Sequence, residues 1–246
     1  MTNMYSQTHT LTALHVNCHG RLKLSALLYF AQAAAEGHCQ ELSLGWEALN
    51  EQNLFWAVVR HKVQISRLPM IGETVTVKTW PMPTTRTAFP RACAGFDEKG
   101  NELFRCISLW VLMDCNTRAM VLPGKSGIEV EGLLTGSELA PPASLAPQVY
   151  GNQMLRQVNF SDLDRNGHMN NTKYLDWVED LLGSHFHQQH TPKELTICYL
   201  NEAKEGQAVA LHYTLQDGPC LRAEGMTSPE NSDEKQQRIF AAQVFF

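Results

Sequence analysis

Val158-Asn159-Phe160-Ser161-Asp162-Leu163-Asp164-Arg165-Asn166-Gly167-His168-Met169-Asn170-Asn171-Thr172-Lys173-Tyr174-Leu175-Asp176-Trp177 decides how this chain is read, because its outline has already occurred once. Near the start, Val16-Asn17 leads into Gly20 and an apolar run, as Val158-Asn159 leads into Gly167 and another. With Gly20 set on Gly167, Leu28 falls on Leu175 and Phe30 on Trp177. Further on, Gly72-Glu73-Thr74-Val75-Thr76-Val77 parallels Gly206-Gln207-Ala208-Val209-Ala210-Leu211. Asp97-Glu98-Lys99 with Phe104 corresponds to Asp233-Glu234-Lys235 with Phe240. Four matches in one order favour internal duplication over chance.

Between the copies runs Leu139-Ala140-Pro141-Pro142-Ala143-Ser144-Leu145-Ala146-Pro147-Gln148, uncharged and rich in Pro and Ala, after the Gly-bearing stretch Glu131-Gly132-Leu133-Leu134-Thr135-Gly136. Proline blocks helix and ladder hydrogen bonds, so this reads as a connection. It divides the chain into an N-terminal domain at 1–138, a linker at 139–150 and a C-terminal domain at 151–246. In the first, Leu24, Leu27, Leu28, Ala31 and Ala35 recur at helical spacing. In the second, Tyr174, Val178, Leu181, Leu182 and His185 do so, with Asn170 or Asn171 as cap. Residues 55–65, 74–79 and 104–113 then read as strands, the last closed by a turn at Asp114-Cys115-Asn116. The second copy repeats this at 194–200, 208–215, 219–227 and 238–246. One helix wrapped by a long antiparallel sheet, twice over, is an α+β architecture.

Composition narrows the function classes. The chain has 246 residues, 20 Lys plus Arg against 25 Asp plus Glu, and 43% apolar content, enough to bury a core in each copy. A net charge of −5 argues against nucleic-acid binding. No uncharged apolar run approaches the ~18 residues of a membrane span. Met1-Thr2-Asn3-Met4-Tyr5-Ser6 has neither a basic nor an apolar leader pattern, so no signal peptide is expected. Seven cysteines without a C-x-x-C pair read as free thiols in a reducing compartment, and the expected location is the cytoplasm. His185, His187 and His190 cluster, but a polar helix end accounts for them better than a metal does, so no metal or cofactor is expected.

Chemistry concentrates at Asp164, Asn166 and His168. At i, i+2 and i+4 of an extended segment, a carboxylate, an amide and an imidazole would project to one side. Gly167 permits φ > 0 or close approach of a ligand. The first turn of the following helix would offer unpaired N–H groups to a developing oxyanion. Together these suit hydrolysis of an acyl compound. The competing reading is a helix-capping loop, for which Asp, Asn and Gly are common. In the first copy the equivalent stretch is Cys18-His19-Gly20-Arg21-Leu22-Lys23, with Arg21 in place of His168. A cap alone should be needed twice, so a role specific to the second copy is favoured.

The run from Asp162 to Trp177 resembles the active-site segment of the acyl-acyl carrier protein thioesterases of plants and bacteria. That family is built from two fused hotdog domains, and its D-x-N-x-H motif maps onto Asp164, Asn166 and His168. It also places a glutamate after the second hotdog helix, and Leu195-Thr196-Ile197-Cys198-Tyr199-Leu200-Asn201-Glu202-Ala203 gives Glu202. Phe55-Trp56-Ala57-Val58-Val59-Arg60-His61-Lys62-Val63 and Leu68-Pro69-Met70-Ile71-Gly72-Glu73-Thr74-Val75 resemble the substrate-side hotdog. Many plant members carry a cysteine directly after the glutamate. Here Ala203 stands there, and Cys198 on the same strand does not substitute, so a thiol mechanism has no obvious nucleophile.

What the resemblance implies is hydrolysis of the thioester linking a fatty acyl chain to the phosphopantetheine arm of acyl carrier protein. Asn166 and His168 would hold and polarise the reacting groups. Asp164 would attack or orient water, and Glu202 would activate or position it. The first copy would form the acyl pocket, with Leu27, Leu28, Phe30, Ala31, Ala34 and Ala35 on its helix and Trp46, Phe55 and Trp56 as further walls or plain core. An acidic carrier needs a basic patch, for which Arg60-His61-Lys62, Arg86 with Arg91, and Arg165 with Lys173 are candidates. A homodimer is an expectation by analogy with other hotdog proteins. The rivals are a hotdog acyl-CoA thioesterase, a non-catalytic acyl-binding protein and, more remotely, a hotdog dehydratase.

Overall fold

The computed structural model describes residues 3–134, 138–227 and 236–246. It divides into two compact units, Met1–Leu22 with Ala26–Pro142, and Lys23–Ser25 with Ala143–Phe246. In the first unit β1 (Tyr5–Thr10) precedes α1 (Leu24–Glu41, of which the part from Ala26 belongs here) and the short α2 (Trp46–Asn50). Then come β2 (Leu54–Ile65), β3 (Thr74–Pro81), β4 (Phe89–Phe96), β5 (Glu102–Asp114), β6 (Met120–Val121) and α3 (Pro123–Ser126). The strands pair antiparallel in the order β1-β3-β4-β5-β2, with β6 against β5. Helix α1 buries Leu27, Leu28, Ala31, Ala34 and Ala35 completely or nearly so, as its spacing predicts. It lies on one sheet face, where Phe30 stacks on His9 of β1 with centroids 4.1 Å apart and His38 meets Arg91 of β4.

The second unit has β7 (Asn152–Gln157), a single 3₁₀ turn (Phe160–Asp162), α4 (Lys173–Glu179) and α5 (Ser184–Gln189). The strands β8 (Glu194–Tyr199), β9 (Ala208–Gln216), β10 (Cys220–Thr227) and β11 (Arg238–Phe245) follow. Their antiparallel order, β7-β9-β10-β11-β8, repeats that of the first unit strand for strand. Tyr174 of α4 packs its ring 4.9 Å from Phe240 of β11 and 5.9 Å from Tyr199 of β8. The duplication extends to a detail of packing. Gly95 pairs with Phe104, and Gly225 with Phe240, and a Cβ on either glycine would lie 2.3 Å or 2.4 Å from the partner ring. A register shift follows each glycine, at Phe96 and at Met226. The Asp233-Glu234-Lys235 match lies outside the described residues.

Two expectations change. The second helix is not continuous to His185: α4 ends at Glu179, and α5 restarts after Gly183, which is extended with φ −68° and ψ 162°. Strands β1, β4 and β7 carry no strong apolar alternation. β1 and β7 are polar edge strands, and β4 contains Pro90 and Gly95, residues that ordinarily mark the end of a strand.

Candidate active site

The loop that carries the reactive residues is a tight turn rather than an extended segment. Leu163 and Met169 form an isolated antiparallel bridge, and Asp164 N–H donates to the His168 carbonyl at 2.7 Å. Gly167 N–H returns to the Asp164 carbonyl, which requires Gly167 at φ +77°. The Asp164 carboxylate turns inward: its Oδ1 accepts N–H from Asn166 at 2.8 Å and from His168 at 3.2 Å. The alternating projection of three side chains therefore does not arise. Local backbone satisfaction overrides it, as is usual for Asp in turns.

The same frame stands in the first unit. Val16 bridges Leu22, Asn17 N–H donates to the Arg21 carbonyl, and Gly20 sits at φ +74°. Asn17 Oδ1 accepts N–H from His19 at 3.0 Å and Arg21 at 3.2 Å, atom for atom the work of Asp164. Both copies thus keep the cap, contrary to the expectation that only one does. What distinguishes the second is the charge on Asp164 and the groups at 166 and 168.

Glu202 enters from the segment after β8. Met169 N–H donates to the Ala203 carbonyl at 2.9 Å, and His168 bridges Lys204. This clamps the segment to the loop and brings Glu202 Oε2 to 3.2 Å from His168 Nε2. The imidazole is largely shielded (18% side-chain exposure) and the carboxylate half open (47%). Glu202 is the imidazole's only polar partner among the described residues, so a neutral ring keeps its proton on Nε2 and leaves Nδ1 as the base. The exposed Asn166 amide, two residues before His168 on the same loop, makes no hydrogen bond among the described residues. Asp164, Asn166, His168 and Glu202 thus lie in one loop cluster, although only His168 and Glu202 touch by their side chains.

Most of the N–H groups expected as oxyanion donors at the helix start already have acceptors. Helix α4 is a seven-residue element beginning at Lys173, and three N–H groups around its start are taken: Thr172 donates to Asn170 Oδ1, Lys173 to the Asn170 carbonyl and Leu175 to the Thr172 carbonyl. Asn170 therefore does serve the cap, two residues ahead of it. The site also contains a residue the sequence did not single out. Tyr174, buried on α4, stands close to Ala203, Glu202 and Asp164. Burial pushes its phenol well above the usual range, aided by the nearby charges of Glu202 and Asp164. The available signal was the contrast of Tyr174 with Leu27, its counterpart in the first copy.

Several other candidates resolve differently. His61 is fully buried, bonded through Nδ1 to Ser108 at 2.7 Å, and burial pushes its imidazole down to about 3, so it belongs to no basic patch. Arg91 is buried against His38 and Thr79, and Trp46 is exposed. His187 and His190 bond to the carbonyls of Glu179 and Phe186, as helix-end residues do, and no metal-binding cluster occurs among the described residues. Cys198 is buried on β8, and no helix of the described residues is long and apolar enough to cross a membrane.

The chain matches the family model for the acyl-ACP thioesterase N-terminal domain over residues 2–122 and that for the C-terminal domain over 149–242. It is 26% identical over 229 residues to a chloroplastic palmitoyl-acyl carrier protein thioesterase of Gossypium hirsutum, covering 87% of this chain and 55% of that protein. It is likewise 26% identical over 220 residues to a chloroplastic dodecanoyl-[acyl-carrier-protein] hydrolase of Cinnamomum camphora, covering 81% and 56%. The chain spans about half the length of these curated relatives. Among solved structures, an acyl-ACP thioesterase from Bacteroides thetaiotaomicron superimposes with a TM-score of 0.89 at 20% identity, over 99% of this chain and 97% of that one. The 12:0-ACP thioesterase of Umbellularia californica does so with a TM-score of 0.81 at 21% identity, over 100% and 97%. The fold is that of a double hotdog.

Proposed function

Because the chain belongs to the acyl-ACP thioesterase family, we propose that it hydrolyses the thioester between a fatty acyl chain and acyl carrier protein, releasing free fatty acid. The observation that carries this reading is the His168–Glu202 pair at 3.2 Å with the exposed Asn166 amide on the same loop.

In the proposed reaction the Asn166 amide donates to the thioester carbonyl oxygen and supports the charge that develops there. Glu202 accepts a hydrogen bond from Nε2–H, fixes the tautomer and stabilises the imidazolium that forms. His168 Nδ1 takes a proton from water as the water oxygen bonds to the carbonyl carbon. The tetrahedral species then expels the sulfur, and His168 returns the proton to the phosphopantetheine thiolate. Water is the better nucleophile here, because Asp164 Oδ1 already accepts two backbone N–H groups and a carboxylate so bonded is stabilised against attack. Asp164 acts by its charge and by holding the loop. Single-turnover hydrolysis in ¹⁸O-water tests this: label recovered on Asp164 would show a covalent anhydride and overturn the direct route.

We assign acyl-chain binding to the first unit, on the ground that it carries Arg21 and the buried Leu68 at the counterparts of His168 and Glu202. The basic pair Arg165 and Lys173, beside the candidate residues in sequence, is assigned to the acidic carrier. The deciding experiment incubates the protein with carrier thioesters of graded chain length, alongside the matching coenzyme A thioesters, and reads free acid by mass. Acid from carrier substrates, reduced about 10²–10³-fold by His168→Ala or Glu202→Ala in folded protein, is the expected result. Undiminished turnover in either variant, or preference for coenzyme A, would overturn it.

A further inference from the structure

On the face of the first unit's sheet that α1 covers, side chains stand in rows set by the strand register. Phe104 lies between Gly95 and Ile65, Cys106 between Cys93 and Val63, and Trp110 between Phe89 and Val58. One row among these is polar. Ser108 of β5 stands between Arg91 of β4 and His61 of β2, and all three are buried. His61 Nδ1 meets the Ser108 hydroxyl at 2.7 Å. Both ends of the row reach α1: the Gln32 amide lies 3.5 Å from His61 Nε2, and Arg91 donates from Nη1 to His38 Nδ1 at 3.1 Å. From Gln32 to His38 the helix rises about 9 Å, which matches the roughly 9.5 Å from β2 across β5 to β4. This part of α1 therefore runs along the row, with Ala34 and Ala35 buried between its two ends. The other contacts of Arg91 are Thr79 Oγ1 at 3.4 Å and Cys39 Sγ at 3.7 Å, so this buried guanidinium faces neutral groups, a rare placement for arginine.

The row separates two apolar layers. On one side Phe104, Cys106 and Val63 are closed to solvent completely or nearly so. On the other, Leu49, Leu54, Phe89 and Leu112 form a cluster whose further walls, Trp56 and Trp110 among them, are only partly buried. An added chain fits the layer whose walls are not already packed shut. We propose that the fatty acyl chain lies in this aromatic layer, and that His61, Ser108 and Arg91 form a polar stop that sets the longest chain it accepts. Each methylene buried against the aromatic walls tightens binding about fourfold. A methylene pressed into the row gains nothing comparable, because it has to part polar groups that satisfy one another away from water. The cation sharpens the stop, since an alkyl chain offers Arg91 no acceptor in exchange for His38 and Thr79.

This inference rests on assigning acyl-chain binding to the first unit, and its test separates the stop from the hydrolase reading. His61→Leu combined with Ser108→Ala replaces both bonded partners by apolar groups, which cores tolerate better than the loss of one partner. Arg91→Met opens the other end of the row. With carrier thioesters of graded length offered together, free acid read by mass should peak at one chain length in the parent. In each folded variant the chain two carbons longer should gain about tenfold relative to that peak. Equilibrium dialysis of free fatty acids reads the same stop without turnover and without substitution. In the parent, affinity should climb about fourfold per methylene and cease to climb at a fixed length, and in the variants that length should increase. An acid profile unchanged by both substitutions in an active parent would overturn the stop, and so would a parental affinity that climbs without a break. A parent that prefers a chain oxygenated near its far end to the plain chain of equal length would also overturn it, by making the row a binding partner. A parent that releases no acid, but whose limiting length for fatty acids increases in the variants, would overturn the hydrolase reading and leave the stop in place.

Discussion

In the proposed reaction Asp164 does two jobs with one carboxylate, and the first unit separates them. Asn17 holds the same loop with the same two N–H bonds and carries no charge. Asp164→Asn should therefore leave the melting temperature within about 2 °C of the parent while lowering turnover by at least about 10²-fold. Asp164→Ala removes the acceptor for two amides, and should destabilise by about 1 kcal/mol or more, read as a fall of a few degrees in the same melt. His61 makes a second prediction at this scale. Its imidazole sits near 3 in the folded protein against 6.5 when exposed, because burial disfavours the charged ring. As pH falls below about 6.5 the unfolded chain binds a proton that the folded chain refuses. Stability should then fall by up to about 1.4 kcal/mol per pH unit between 6.5 and 3. Urea titrations from pH 7 to 4 should show this slope, and His61→Asn should flatten it.

Among the elements, the glycines of β4 and β10 are the most exacting positions. Gly95 and Gly225 lie beneath Phe104 and Phe240, two of the fully buried aromatic rings. Gly225→Ala places a methyl group 2.4 Å from a ring that neighbours hold on every side, and overpacking of this kind costs about 1–3 kcal/mol. A lowered urea midpoint with an unchanged slope is the expected outcome. Gly95→Ala should behave the same way, since the two sites share one geometry. The long apolar elements were legible beforehand: Leu24 to Ala35 on α1 and the strands β2, β5, β8 and β11 have one dominant period each. The polar edge strands and β4 were not, because partner strands rather than their own side chains hold them in place. The break between α4 and α5 also lies beyond periodicity, since the apolar spacing simply continues across Gly183.

Over the whole molecule, the repeated strand order and the paired Gly–Phe contacts make two hotdogs from one pattern. The sequence comparison reached that pattern through Gly20 with Gly167 and Phe104 with Phe240. It also found the four residues of the candidate site, chiefly through their likeness to a known motif. Two things escaped it, for one reason. That Asn17 and Asp164 perform the same backbone task is hidden because they differ in charge, and that Met169 clamps the Glu202 segment through the Ala203 carbonyl is hidden because an N–H leaves no trace in a one-letter code. Hydrogen bonds to the main chain depend on where atoms sit, and spacing along the chain reports that only for regular elements.

A loop braced by its own amides is indifferent to the side chains it displays. Such a support lets a copied module fall chemically silent without coming apart, since His19, Arg21 and Leu68 can drift while the brace around Gly20 endures. The reverse journey is equally short: four substitutions, Asn17→Asp, His19→Asn, Arg21→His and Leu68→Glu, would furnish the first unit with the second unit's four candidate groups on a backbone already bent to receive them.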